Sequence, residues 1–63
     1  MAANRQLQEA VGRLVANADA VHSGQIEWDT FSRRNRSIWN EVHAQGDKFT
    51  RQVSEALQRV KWK

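Results

Sequence analysis

Apolar side chains recur along this chain at three- and four-residue steps, the spacing that lines one face of an α-helix. In the first such stretch, from about Asn4 to His22, Leu7, Ala10, Val11, Leu14, Ala18 and Val21 share one side, and Arg5, Glu9, Gly12, Ala16 and Asp19 lie opposite. Asn17 sits at the edge of the apolar side. A polar residue there either stays in solvent or fixes the register of an oligomer, and the exposed side chain is the expectation. Ser23-Gly24 ends the stretch, with Gly24 suited to the left-handed position that follows a helix. The second stretch covers about residues 28–45, with Phe31, Ile38 and Val42 as its inward line and Trp28, Asn35 and Trp39 beside it. With Glu27 as N-cap, Ile26 and Phe31 make a hydrophobic staple across the helix start. Asp29 favours the dipole of the first turn and lies within i+4 reach of Arg33.

Gly46-Asp47 reads as a stop followed by a new N-cap, with the Asp47 carboxylate accepting from the backbone of Phe49 or Thr50. A third stretch, about residues 48–62, carries Phe49, Val53, Ala56, Leu57 and Val60. At about 100° per residue Phe49, Val53, Ala56 and Val60 stay in phase with Phe31, Ile38 and Val42. A second architecture is therefore open: one helix from Trp28 to Trp62, roughly 50 Å long, half of it covered only by a second chain. Strand-like alternation does not persist anywhere. The expected fold is all-α, one domain over residues 1–63: a small three-helix bundle with helices at about 4–22, 28–45 and 48–62, its first two forming an antiparallel hairpin. The alternative is a helical hairpin with one long second helix, dimerised.

Composition sharpens this picture. The chain has 63 residues, no Cys and no Pro. A domain of that size buries a small share of its surface and is marginal alone. Without Cys there is no disulfide or thiolate metal site, and His22 and His43 are too far apart for a zinc site. No metal and no cofactor is expected. Oligomerisation or a protein partner is the remaining source of stability. Behind Met1-Ala2-Ala3-Asn4-Arg5 there is no apolar stretch of a signal peptide. No run approaches the roughly 20 apolar residues of a membrane helix. A cytoplasmic location is expected and a membrane partner is not.

The spacing Gly24-x-Ile26-x4-Phe31-x6-Ile38, after an apolar helix ending in Val21, resembles the short helical hairpin called the SHOCT domain. The likeness covers about 25 residues. It implies a small oligomerisation or docking hairpin without a catalytic role, and it assigns no functional residues.

Catalysis has little to draw on. Ser23, Ser32, Ser37 and Ser54 have no His reliably beside them, and there is no phosphate-binding Gly loop or metal motif. The chain is expected not to be an enzyme. Two surfaces remain. On the second helix Trp28, Ser32, Arg36, Trp39 and His43 step by three or four, a stripe rich in the residue types that dominate binding hot spots. In a bundle the same tryptophans can instead pack against the third helix. The basic excess, ten Lys and Arg against seven Asp and Glu with an isoelectric point near 10.2, gathers in two places. Arg33-Arg34-Asn35-Arg36 resembles an arginine-rich RNA-binding helix, although the side chains splay around more than half the circumference. Lys48, Arg51, Arg59, Lys61 and Lys63, with Trp62 off the apolar stripe, suit phosphate contacts or simply the negative end of a helix dipole.

The leading functional expectation is a non-enzymatic protein-interaction or self-association module. It presents an apolar seam flanked by Trp28, Arg36, Trp39 and His43 to a second copy or another protein. The alternative is a small basic DNA- or RNA-binding regulator of phage or plasmid type, using Arg33, Arg36, Arg51, Arg59, Lys61 and Lys63.

Overall fold

In the computed structural model, which describes residues 2–60, the chain is all-helical. Helix α1 spans Ala2–His22, α2 spans Trp28–Ala44 and α3 spans Asp47–Gln58. No strand occurs among the described residues.

The two breaks are glycine-driven. After α1, the Gly24 amide donates to the Val21 carbonyl at 3.2 Å and the Gln25 amide to the Ala20 carbonyl at 2.9 Å, the paired bonds of a Schellman stop. Gly24 takes φ +80°, which costs a residue without a Cβ little. Gly46 takes φ +107° and ψ 169°, a region that is essentially Gly-only. Its amide donates back to the His43 carbonyl at 3.0 Å, so it finishes α2. Its own carbonyl then accepts from the Thr50 amide at 3.1 Å and the Thr50 hydroxyl at 2.9 Å, so it also starts α3. The continuous helix from Trp28 to Trp62 is thereby ruled out.

One start and one end, both of α3, differ from expectation. Gly46, not Asp47, occupies the N-cap of α3, and no side chain caps it; Asp47 begins the helix, where its charge still favours the dipole. The third helix ends at Gln58, short of the expected 62; Lys61, Trp62 and Lys63 lie outside the described residues. Glu27 is the N-cap of α2, through its backbone alone: φ is −85°, the side chain makes no capping bond, and its carbonyl accepts from the Phe31 amide at 3.0 Å.

The core is small. Ala10 and Leu14 of α1, Ile38 and Val42 of α2 and Val53 of α3 are buried, with Leu7, Val11, Trp39, Phe49 and Leu57 packed around them. Val53 is fully enclosed. Both apolar stripes face this cluster, so their common phase does not require one continuous helix. No helix of the described residues is long and apolar enough to cross a membrane.

Asn17 is the correction within the core. It is 5% exposed, although it was expected in solvent. Its Nδ2 donates to the Phe31 carbonyl at 3.1 Å, pinning α1 to the first turn of α2, while Oδ1 is buried without a partner. Periodicity placed Asn17 at the rim of the stripe, and the approach of α2 turned that rim into interior.

Candidate functional site

The residues expected to bind a partner all lie on α2, but in different environments. Trp28 is 67% exposed, and its ring stacks on Phe31 with centroids 4.9 Å apart and planes 19° from parallel. Trp28 is the first residue of α2 and Phe31 lies one turn on, so i,i+3 geometry brings the rings together. Phe31 is half-buried and continues inward. The stack thus forms an apolar step from core to solvent at the helix start.

Trp39 is drawn inward. It packs against the buried cluster, with its ring 5.8 Å from that of His43. His43 is exposed, and its Nδ1 lies 3.4 Å from the Thr50 hydroxyl of α3. Trp39 and His43 therefore border α3, whereas Trp28 and Arg36 face solvent.

The basic candidates are all on the surface. Arg33, Arg34, Arg36, Lys48, Arg51 and Arg59 are exposed; Lys61 and Lys63 lie outside the described residues. Arg33 does not pair with Asp29. Its guanidinium donates to the Thr30 hydroxyl at 3.4 Å, so the expected i+4 ion pair is absent. The exposed pair has little Coulombic gain to set against the entropy of fixing two side chains in water.

The ion pair that does form among the described residues joins Arg13 of α1 to Glu41 of α2 through two parallel bonds of 3.0 Å. The hydrogen bond first, and charge attraction second, hold the Glu41 carboxyl below the usual carboxylate range and raise the Arg13 guanidinium. Sequence reasoning missed this pair. Its members are 28 residues apart and exposed, and no local pattern links them. On either side of the pair lie two shallow grooves, one of about 210 Å³ floored by Ala10, Ile38, Val42 and Phe49, the other of about 310 Å³ between Asn17 and Arg34.

Among the described residues no three His, Asp or Glu side chains gather as a metal would require. The aromatic step offers apolar area and stacking to an incoming surface, with the exposed Arg36 about two turns along the same helix. No protein-family model, no curated protein and no solved structure matches this chain.

Proposed function

We propose that this chain is a non-enzymatic helical interaction module whose contact surface centres on the Trp28–Phe31 stack, with Arg36 on its flank. The observation that carries the reading is the exposure of Trp28, two-thirds open to solvent while ordered on the Phe31 ring. Tryptophan and arginine are the side chains most enriched where truncation costs binding energy. The size of the core points the same way: the five buried apolar side chains among the described residues are a slender core for an isolated Cys-free domain, and added contact would stabilise it. The likeness to a SHOCT-type hairpin fits a docking or oligomerisation role as well.

The test is mass in solution by light scattering, alone and with candidate partners, for the native chain and Trp28→Ala. A complex weakened by Trp28→Ala, with helix content unchanged, supports the reading. A strictly monomeric chain that also binds no partner through Trp28 ends it.

A second reading rests on charge. The exposed Arg33, Arg34, Arg36, Arg51 and Arg59 support a nucleic-acid-binding role. Binding to a duplex oligonucleotide should then weaken steeply with salt, because each phosphate contact releases a counterion. Lack of oligonucleotide binding at low salt would remove this reading.

A further inference from the structure

We infer that the partner of the Trp28 surface is a second copy of this chain, docked with the two α2 helices antiparallel. This rests on the docking role of Trp28 proposed above and adds the partner and its orientation.

The argument starts from one side of α2. Trp28, Asp29, Ser32, Arg33 and Arg36 fall within an arc of roughly 140° at about 100° per residue. All five are exposed. Along this arc charge is sorted: Asp29 lies at the N-terminal end, just after Glu27, and Arg33 and Arg36 follow. Neither end is neutralised by an ion pair among the described residues. The ion pair formed among the described residues is Arg13–Glu41, and Arg33 turns to Thr30 rather than to Asp29.

A face that is acidic at one end and basic at the other complements itself only when a copy is turned end for end. A parallel copy would set Asp29 against Asp29 and the arginines against each other, which costs energy. In an antiparallel pair centred between Ser32 and Arg33, Asp29 meets Arg36 of the second copy, and the twofold axis repeats the contact. Ser32, small and on the same arc, lies at the crossing and allows close approach; Arg33, at the edge of the arc, meets its own counterpart beside the axis, a like-charge contact that subtracts from the affinity. Trp28 adjoins Asp29, so the same guanidinium can pair with the carboxylate and lie over the indole face. The indole surface left open in one copy is thereby covered by Arg36 of the other.

The overlap spans only some ten residues of α2, about 15 Å. A contact confined to so short a stretch is smaller than the roughly 20–30 residues a side of a standard interface. The dimer should therefore be weak, in rapid exchange and sensitive to salt.

Sedimentation equilibrium on four forms tests this: the native chain, Asp29→Arg, Arg36→Glu and the double variant. Each single reversal opposes like charges at both symmetric contacts and should raise the dimer Kd by about tenfold or more. The double variant restores opposite charges and should recover the dimer. So should an equimolar mixture of the two single variants, which can form only the mixed pair well. That recovery also shows that the single variants are folded. A dimer weakened by Trp28→Ala but not rescued by mixing overturns the antiparallel α2 pairing and leaves the docking role of Trp28 intact. A chain that stays monomeric to about millimolar concentration, so with affinity weaker than about −4 kcal/mol, overturns self-pairing outright. A dimer indifferent to Trp28→Ala and to both reversals overturns the pairing and the docking role together.

Discussion

The side-chain amide of Asn17, in the C-terminal third of α1, donates a hydrogen bond to the main-chain oxygen of Phe31, in the first turn of α2. This bond sets how far α2 slides along α1, because a carbonyl at one fixed position must meet it. It also holds Phe31, the residue on which Trp28 stacks. The cost is the Asn17 Oδ1, buried and without a partner.

Asn17→Ala should destabilise the fold by about 1–3 kcal/mol, the range for removing a buried hydrogen-bond donor and leaving a small void. Both substitutions remove the unpaired oxygen, but Asn17→Leu also refills the space, so it should cost less than Asn17→Ala. Urea melts followed by circular dichroism measure both. Asn17→Ala at native stability would mean that the bond to Phe31 does not hold the helices in register.

The glycines should respond with opposite signs. Gly46 has φ +107° and open space where a Cβ would point, so the penalty for Gly46→Ala is purely one of backbone conformation. It should be of order 1–3 kcal/mol. Gly12 lies inside α1 with equal room around it, so Gly12→Ala should stabilise by up to about 1 kcal/mol. A stabilised Gly46→Ala would mean that α2 and α3 fuse once the left-handed residue is lost.

These positions also mark how far the sequence could be read. The breaks at Gly24 and Gly46 were legible because local backbone chemistry decides them. So was the inward line of Leu14, Ile38, Val42 and Val53, because a small core leaves few ways to hide it. Burial of Asn17 was not legible, since a residue at the edge of a stripe is buried or exposed according to how closely the neighbouring helix approaches. The Arg13–Glu41 bridge was invisible for the same reason. At the candidate site, the helical spacing put Trp28, Arg36, Trp39 and His43 in one stripe. The packing of Trp39 against the core, with Trp28 left in solvent, depends on where α3 lies. No periodicity within α2 encodes that.

The Arg13–Glu41 bridge predicts a pH response. The Glu41 carboxyl is lowered in the folded chain, so it binds its proton more weakly there than in the unfolded chain. Its contribution is complete above the unfolded carboxyl value of about 4.3 and is lost as pH falls through the lowered folded value. The melting temperature should therefore drop below about pH 4, and Glu41→Gln should make that drop shallower. Both side chains are more than half exposed, so the effect is small and should shrink further in high salt. Identical acid profiles for the native chain and Glu41→Gln would show that the bridge adds nothing to stability.

The two α2 tryptophans should separate folding from binding. Trp39 packs against Ile38, Val42 and their neighbours in the buried cluster, so Trp39→Ala leaves a void between α2 and the rest of the core. Full burial would put the loss at about 3–5 kcal/mol; for a half-buried ring about 2 kcal/mol is expected. In a domain this small that is a large share of the total. Trp28 is mostly in water, so Trp28→Ala removes little that folding had buried and should leave the melt of the dilute chain nearly unchanged. Its stacking contact with Phe31 is worth of order 1 kcal/mol at most, since one side of the indole is already solvated. Fluorescence gives an independent readout. In dilute solution the Trp28 indole should be readily quenched by acrylamide and Trp39 protected; a Trp39→Phe, Trp62→Phe variant isolates the Trp28 signal, and its difference from Trp62→Phe alone gives that of Trp39. On raising the concentration, the Trp28 signal should gain protection while Trp39 does not change. If instead Trp39→Ala melts like the native chain and abolishes association, Trp39 is the contact residue, and the binding face of α2 must be moved toward His43.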